Sequence, residues 1–453
     1  MTRTAEHGNR HGRGHAHARG HGYEYGPGRR YGHGRGRRGA VDPVAVTGLG
    51  VVTPAGTDER TFWEGLCAGR SVARRRAELA GMPVDFACAV EGPPAGLDLD
   101  EAVGGRSVWR MARFVKLALI AARQAVDDAG LSPGDWDGGR VGVVLGVGVG
   151  GVSVLVDNAL RLHAEGPQAV SPLLVPMMIP NAAAGEVAIA LGARGPSLAP
   201  ATACASGATA IALARDLLVS GACDVVVAGG AESVLTPLVL TAFARMGALS
   251  TRTGDPAEAS RPFAADRDGF VIGEGAAMLV LERNADARAR GRTPRALLTG
   301  AGSSTDAYHP TAPAPGGRNA QAAVETALED AGWSPYDIEH VNAHGTSTVL
   351  NDAMEATLIE RVFPHRPPVT APKGVLGHTL AAAGAIEAVA TVLTLERGII
   401  PPIANLDAPA VEFDLDCVTK TPRSQVVETA VSHSFGFGGH NVALVFQRTS
   451  TAG

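Results

Sequence analysis

"AVDDAGLSPGDW" (residues 125–136) closes an apolar run with helical spacing, and "ALEDAGWSPYDI" (327–338) closes another in the later part of the chain. In each, a glycine ends the helix, Gly130 or Gly332, a Ser-Pro turn follows, and an apolar strand comes next. Two further echoes keep the same order. The helical stretch "GATAIALARDLLVSG" (207–221) returns as "GAIEAVATVLTLERG" (384–398), equal in length and bounded alike. "DVVVAGGAES" (224–233) returns as "ETAVSHSFGFGGHN" (428–441), and both read as a strand running into a glycine turn. Three echoes in one order indicate a duplicated chain. We place the halves at 41–290 and 291–453, preceded by a tail at 1–40.

Strands and helices alternate within each half. "VDPVAVTGLGVVTP" (41–54), "RVGVVLGVG" (140–148) and "CDVVVAGG" (223–230) are rich in β-branched residues, and "ARFVKLALIAARQAVDDAG" (112–130) has helical spacing. Such alternation predicts an α/β layered fold with buried strands. Two related halves of this kind can place an active site where they meet.

The chain has 453 residues, 45% of them apolar, enough for a large core. Its formal charge of −5 hides a split, since residues 1–40 hold nine arginines against Glu6 and Glu24. That tail, also rich in Gly and His, has no apolar periodicity and is expected to be disordered. Five scattered cysteines, at 67, 88, 204, 223 and 417, show no CxxC spacing, so neither a disulfide framework nor a zinc site is expected. The longest apolar run, "VGVVLGVGVGGVSVLV" (141–156), is too short and glycine-rich to span a membrane, and the N-terminus lacks the apolar core of a signal peptide. A soluble, cytoplasmic protein is expected, with no membrane or nucleic-acid partner and no metal.

Cys204, in "SLAPATACASGATAIALARDLLVSG" (197–221), stands just before a helix. A helix N-terminus contributes up to about 2 kcal/mol toward an anion there, roughly 1.5 pKa units, which favours a thiolate. A buried, inert cysteine is the competing reading. His344 ends a strand in "VNAHGTSTVLND", and His378 precedes the second-half helix in "APKGVLGHTLAAAGAIE", near the counterpart of Cys204. Two imidazoles can hold a developing oxyanion between them, or each can cap a turn. Lys373 is one of only three lysines, with 116 and 420. Paired with Glu387 it would orient His378; as a loop residue it would be solvated. In "SHSFGFGGHN" (432–441) the glycines allow close backbone approach, and the Phe437 N–H can serve an oxyanion.

Together "TACASG", "AHGTST", "KGVLGHTLAAAGAIE" and "SFGFGGHN" resemble the β-ketoacyl-ACP synthases of thiolase fold. "VTGLGVVTPAG", "IPNAAAGEVAIALGARGPS" and "RPFAADRDGFVIGEGAAMLVLE" extend the resemblance over nearly everything after residue 41. It implies two βαβαβαββ halves in an α-β-α-β-α core. It also implies decarboxylative condensation of a Cys204-bound acyl chain with malonyl-ACP, His344 and His378 being the decarboxylation pair and Lys373 with Glu387 supporting them. The Cys204 and Phe437 N–H groups would form the oxyanion hole, Phe437 would gate the site, and Thr346, Thr348, Phe435, Gly436 and Gly438 would contact substrate. No cofactor is implied beyond the phosphopantetheine of an acyl carrier protein. A dimer is implied, with a second copy or with a chain-length-factor-like homologue; such homologues lack the cysteine. A non-elongating, length-setting subunit and a degradative thiolase are the alternatives. The sequence departs from the family pattern at Ala371-Pro372 (usually Ser-Thr), Val349 (Pro), Ala264 (Asp) and His440 (Thr), and the changes at 371, 372 and 440 are expected near the site.

Overall fold

A computed structural model describes residues 43–449 except 92–95 and 135. The tail at 1–40, expected to be disordered, lies outside the described residues. Ten strands are β1 (Val44–Val52), β2 (Val141–Gly146), β3 (Ser197–Leu198), β4 (Val225–Glu232), β5 (Gly275–Arg283), β6 (Ala296–Thr305), β7 (His340–Asn342), β8 (Val369–Thr370), β9 (Thr429–Gly436) and β10 (His440–Arg448). They hydrogen-bond in the order β3-β2-β4-β5-β1-β6-β10-β9-β7-β8. Read outward from the β1–β6 junction, the second five strands repeat the first five in both order and direction. β2 runs parallel to β3 and β4, as β7 does to β8 and β9, and β4–β5 and β9–β10 are antiparallel. The repeat seen in three short echoes is therefore a repeat of topology.

The main helices are α1 (Arg113–Asp128), α2 (Val152–Glu165), α3 (Ala182–Leu191), α4 (Ser206–Val219), α5 (Pro237–Arg245), α6 (Arg318–Ala331), α7 (Val349–Val362) and α8 (Ala383–Arg397). α1 and α3 cover one outer face, α6 and α7 the other, and α4 and α8 lie between the two halves of the sheet. This is the expected α-β-α-β-α layering. Apart from Glu387, α8 is apolar, small or Thr through Leu395, "AGAIEAVATVLTL", and is buried from Ala383 to Leu395; a helix without a solvated polar face belongs inside a core. Glycines let the two middle helices touch. A Cβ at Gly207 would lie 2.8 Å from Ala385 N, and one at Gly384 2.9 Å from Ala208 N. Their first turns are thereby brought side by side.

One expectation about the third echo fails. Gly229 and Gly230 lie within β4 rather than in a turn, because backbone packs where their side chains would be: Ala277 O would be 1.9 Å from a Cβ at Gly229. Only the second-half copy, at Gly438 and Gly439, turns. Among the described residues no helix is long and apolar enough to cross a membrane.

Candidate active site

Each middle helix is entered through one left-handed residue. Ala203 (φ 49°) opens a short 3-10 turn into α4, and Leu380 (φ 50°) does the same for α8. Such a step costs a residue with a Cβ about 1–2 kcal/mol, so surrounding bonds must hold it. At Ala203 they do: Ser206 Oγ accepts from Thr202 N (2.9 Å) and donates to Ala203 O (2.6 Å). Cys204 sits on this elbow, its counterpart is Ala381, and both face a cavity of about 410 Å³.

The end of β9 completes the nucleophile side. A Cβ at Gly436 would lie 2.5 Å from Thr202 O and 3.1 Å from Cys204 N, so only glycine lets the strand rest on the elbow. The backbone N–H groups of Phe437 and of Cys204 itself act on the Cys204 sulfur in the direction that favours its thiolate. The half-buried Phe437 ring lies beside Phe243, centroids 6.5 Å apart.

His344 and His378 enter from the second half, their ring centroids 5.5 Å apart and planes nearly perpendicular. His344 follows β7, and Phe435 packs edge-on to it at 5.8 Å. His378 is fixed by the Leu380 N–H, which donates to its Nδ1 (3.2 Å). Lys373 Nζ meets His344 Nδ1 at 3.1 Å and His344 O at 2.6 Å, and is paired with Glu387 Oε1. An ammonium can only donate, so Nδ1 of His344 accepts, and each imidazole carries its proton on Nε2. The sequence expectation that Lys373 orients His378 is thus corrected. The lysine lies five residues from His378 along the chain, but its stem runs to the strand-end turn that holds His344.

Burial dominates the electrostatics. It holds both imidazoles well below their ordinary 6.5, with the Lys373 charge adding to the effect, so both are neutral donors. It pushes the Glu387 carboxyl up to about 7 against the opposing pull of Lys373. It also pushes the Cys204 thiol up to about 11, against the Lys373 charge and the Phe437 N–H. The thiolate expected at a helix start is therefore not the resting form; desolvation outweighs the helix terminus. Iodoacetamide alkylation of Cys204 in the free protein is expected to accelerate about tenfold per pH unit from about pH 7 to 9. A plateau near pH 8 would contradict this.

Of the residues picked from sequence, Cys204, His344, His378, Thr346, Thr348, Phe435, Gly436 and Phe437 line the cavity. Lys373 and Glu387 stand behind His344, both 2% exposed. Gly438 is exposed outside the lining, its N–H donating to Pro310 O. The departures from the family pattern stand at different depths. Val349 lines the cavity, whereas Ala371, Pro372 and His440 do not. Ala371 is buried against the Gly345 turn, and the His440 ring lies against Gly438.

Two buried acids escaped the sequence reading. Glu355 accepts from the N–H groups of His344 and Gly345, both at 2.8 Å, and Asp352 from those of Thr346 (3.0 Å), Ser347 (3.1 Å) and Phe263 (2.9 Å). Together they shape the turn that presents His344. Their signal is two acids three apart on one helical face, directly after "AHGTST".

Residues 41–287 match the model of the β-ketoacyl synthase N-terminal domain, and residues 295–407 that of its C-terminal domain. The chain is 42% identical over 412 residues to 3-oxoacyl-[acyl-carrier-protein] synthase 2 of Synechocystis sp., covering 89% of this chain and 98% of that protein. It is 38% identical to the Staphylococcus aureus protein of the same name, with the same coverage of each chain. Among solved structures, the ishigamide ketosynthase/chain length factor superposes with a TM-score of 0.84 at 33% identity, covering 91% of this chain and 100% of that one. A type II polyketide synthase acyl carrier protein in complex with its hexaketide-bound ketosynthase gives 0.83 at 31%, covering 90% and 100%. The chain belongs to the β-ketoacyl synthase family.

Proposed function

We propose that the protein catalyses decarboxylative condensation of an acyl chain held on Cys204 with malonyl-ACP. The observation that carries this is one cavity holding a cysteine on a strained elbow and two neutral imidazoles whose Nδ1 atoms are both occupied from behind. In the first half-reaction Sγ attacks the acyl thioester carbonyl, and the N–H groups of Cys204 and Phe437 receive the oxyanion. The carrier's phosphopantetheine thiol leaves with the proton that Cys204 gives up. In the second, malonyl-ACP loses its carboxylate as CO2, and the electron pair left behind forms an enolate. Its oxygen accepts from Nε2–H of His344 and His378. The enolate carbon then attacks the Cys204 thioester, the β-ketoacyl product leaves, and the expelled Cys204 thiolate takes a proton from solvent to restore the thiol.

Thr346 and Thr348, their hydroxyls 2.8 Å apart, and Phe435 line the path for the phosphopantetheine arm, which arrives on the carrier; no cofactor of the enzyme's own takes part. Two observations weigh against the alternatives. A length-setting subunit would lack Cys204, and a degradative thiolase needs a second cysteine in the site, whereas Cys417 is buried outside the cavity lining. The proposed setting is a type II polyketide or fatty acid pathway in the cytoplasm.

A dimer is proposed through β3. At the opposite end of the sheet β8 is buried, while β3 is exposed, with Leu198 on its free edge and Ile189 exposed on the neighbouring α3. The partner is a second copy or a cysteine-free homologue. Incubation with an acyl-ACP and malonyl-ACP tests the proposal: β-ketoacyl-ACP extended by two carbons is expected. Absence of product with several acyl lengths, both alone and with a partner homologue, would refute it.

A further inference from the structure

Glu232 ends β4 fully buried, lines the cavity, and has no ion-pair partner among the described residues. Three consecutive backbone N–H groups hold its carboxylate instead: Gly148 (2.9 Å) and Val149 (3.0 Å) donate to Oε2, and Gly150 (3.2 Å) to Oε1. These residues belong to the loop between β2 and α2, whose Gly150 is left-handed (φ 78°). The same loop brings Val149, 44% exposed, to the lining of the cavity that Cys204 faces. A Cβ at Gly148 would lie 2.7 Å from Glu232 Oε2 and 3.4 Å from the Ala381 Cβ, so Gly148 is confined between the carboxylate and the second elbow and only glycine fits there. An unpaired buried carboxylate is costly, and its only return here is the fixed conformation of one loop.

We propose that Glu232 is a positioning residue for acylation: it clamps the Gly148–Val149–Gly150 loop, so that Val149 sets the cavity wall met by the acyl chain entering Cys204. The proposal rests on the condensing function above and adds a determinant of acyl selection. The clamp lies on the first-half side with Cys204, whereas the imidazole pair is held by Lys373 and Leu380 N from the second half. Loss of the clamp therefore changes acylation and spares malonyl decarboxylation.

The test measures acylation of Cys204 by intact mass across a series of acyl-ACP lengths, and CO2 release from malonyl-ACP separately. Glu232→Gln keeps the size and one acceptor oxygen; Glu232→Asp keeps the charge but withdraws it by one methylene; Val149→Ala alters the wall with the carboxylate intact. In Glu232→Asp and Val149→Ala the ratio of short-chain to long-chain acylation rates is expected to shift about tenfold, the scale of discrimination by a pocket wall. Glu232→Gln is expected to shift it less, and CO2 release is expected to stay within about twofold of wild type. Acylation profiles identical to wild type in all three variants would overturn the proposal, and so would equal losses of acylation and CO2 release. If wild type itself failed to acylate, the fault would lie with the condensing function, which the parallel wild-type series separates from the clamp.

Discussion

Cys204→Ala is expected to abolish covalent acylation while malonyl-ACP still releases CO2 without forming product. The sulfur is the only nucleophilic side chain on the elbow, and the other cysteines lie outside the cavity lining. The resting thiol, held near 11 by burial, is not a strong nucleophile by itself. Its reactivity depends on what meets the substrate: the Phe437 and Cys204 N–H groups acting on the sulfur, where the oxyanion of the tetrahedral intermediate forms. Alanine leaves the elbow intact, since Ala381 occupies the equivalent place on the second elbow with a like backbone. The histidine pair is also untouched, which is why decarboxylation should persist, uncoupled. Intact-mass measurement after incubation with acyl-ACP reads the first effect and a CO2 assay the second. An acyl adduct on the alanine variant would place the nucleophile elsewhere.

His344→Ala and His378→Ala are each expected to lower condensation about 10²–10³-fold, the usual effect of removing one preorganised oxyanion donor, with acylation kept within about an order of magnitude. Both rings are neutral because they are buried beside the Lys373 charge. A neutral ring has one proton, and occupation of Nδ1 from behind fixes it on Nε2. Each histidine is thus a fixed single donor. The variants are expected to differ in stability. Removing the His344 ring leaves Lys373 Nζ with His344 O and Glu387 as partners, whereas removing that of His378 frees one backbone N–H, of Leu380. Single-turnover condensation from pre-acylated protein separates the two half-reactions. If either folded variant failed to acylate, the division between the cysteine and the histidine pair would be wrong.

How far the sequence reaches depends on the kind of contact. The duplication is visible because helix ends and turns are local: Gly130 and Gly332, or Gly221 and Gly398, mark equivalent points whatever surrounds them. Cys204, His344 and His378 are visible for the same reason, each being set in a short motif at a strand or helix end. What Lys373 touches is not visible. Five residues along the chain pointed to His378, but the packing of α8 against β7 brings Glu387 and His344 to the lysine instead. The protonation of Cys204 is likewise a property of packing, since it is buried in a cluster drawn from segments as far apart as Ala73 and Leu380. Glu232 escaped notice because it binds backbone N–H groups of a distant segment, a partner that leaves no mark in side-chain patterns, whereas Asp352 and Glu355 do leave a signal, their spacing after "AHGTST".

The central claim, that the acyl chain on Cys204 is consumed by a decarboxylating partner in the same cavity, is tested most directly by one single-turnover measurement. Protein acylated on Cys204 is freed of donor, mixed with malonyl-ACP, and followed for loss of the adduct, CO2 and β-ketoacyl-ACP together. One CO2 per adduct lost and per product formed, in step, is the expected result. Product formed without CO2, or an adduct that persists while product accumulates, would contradict it.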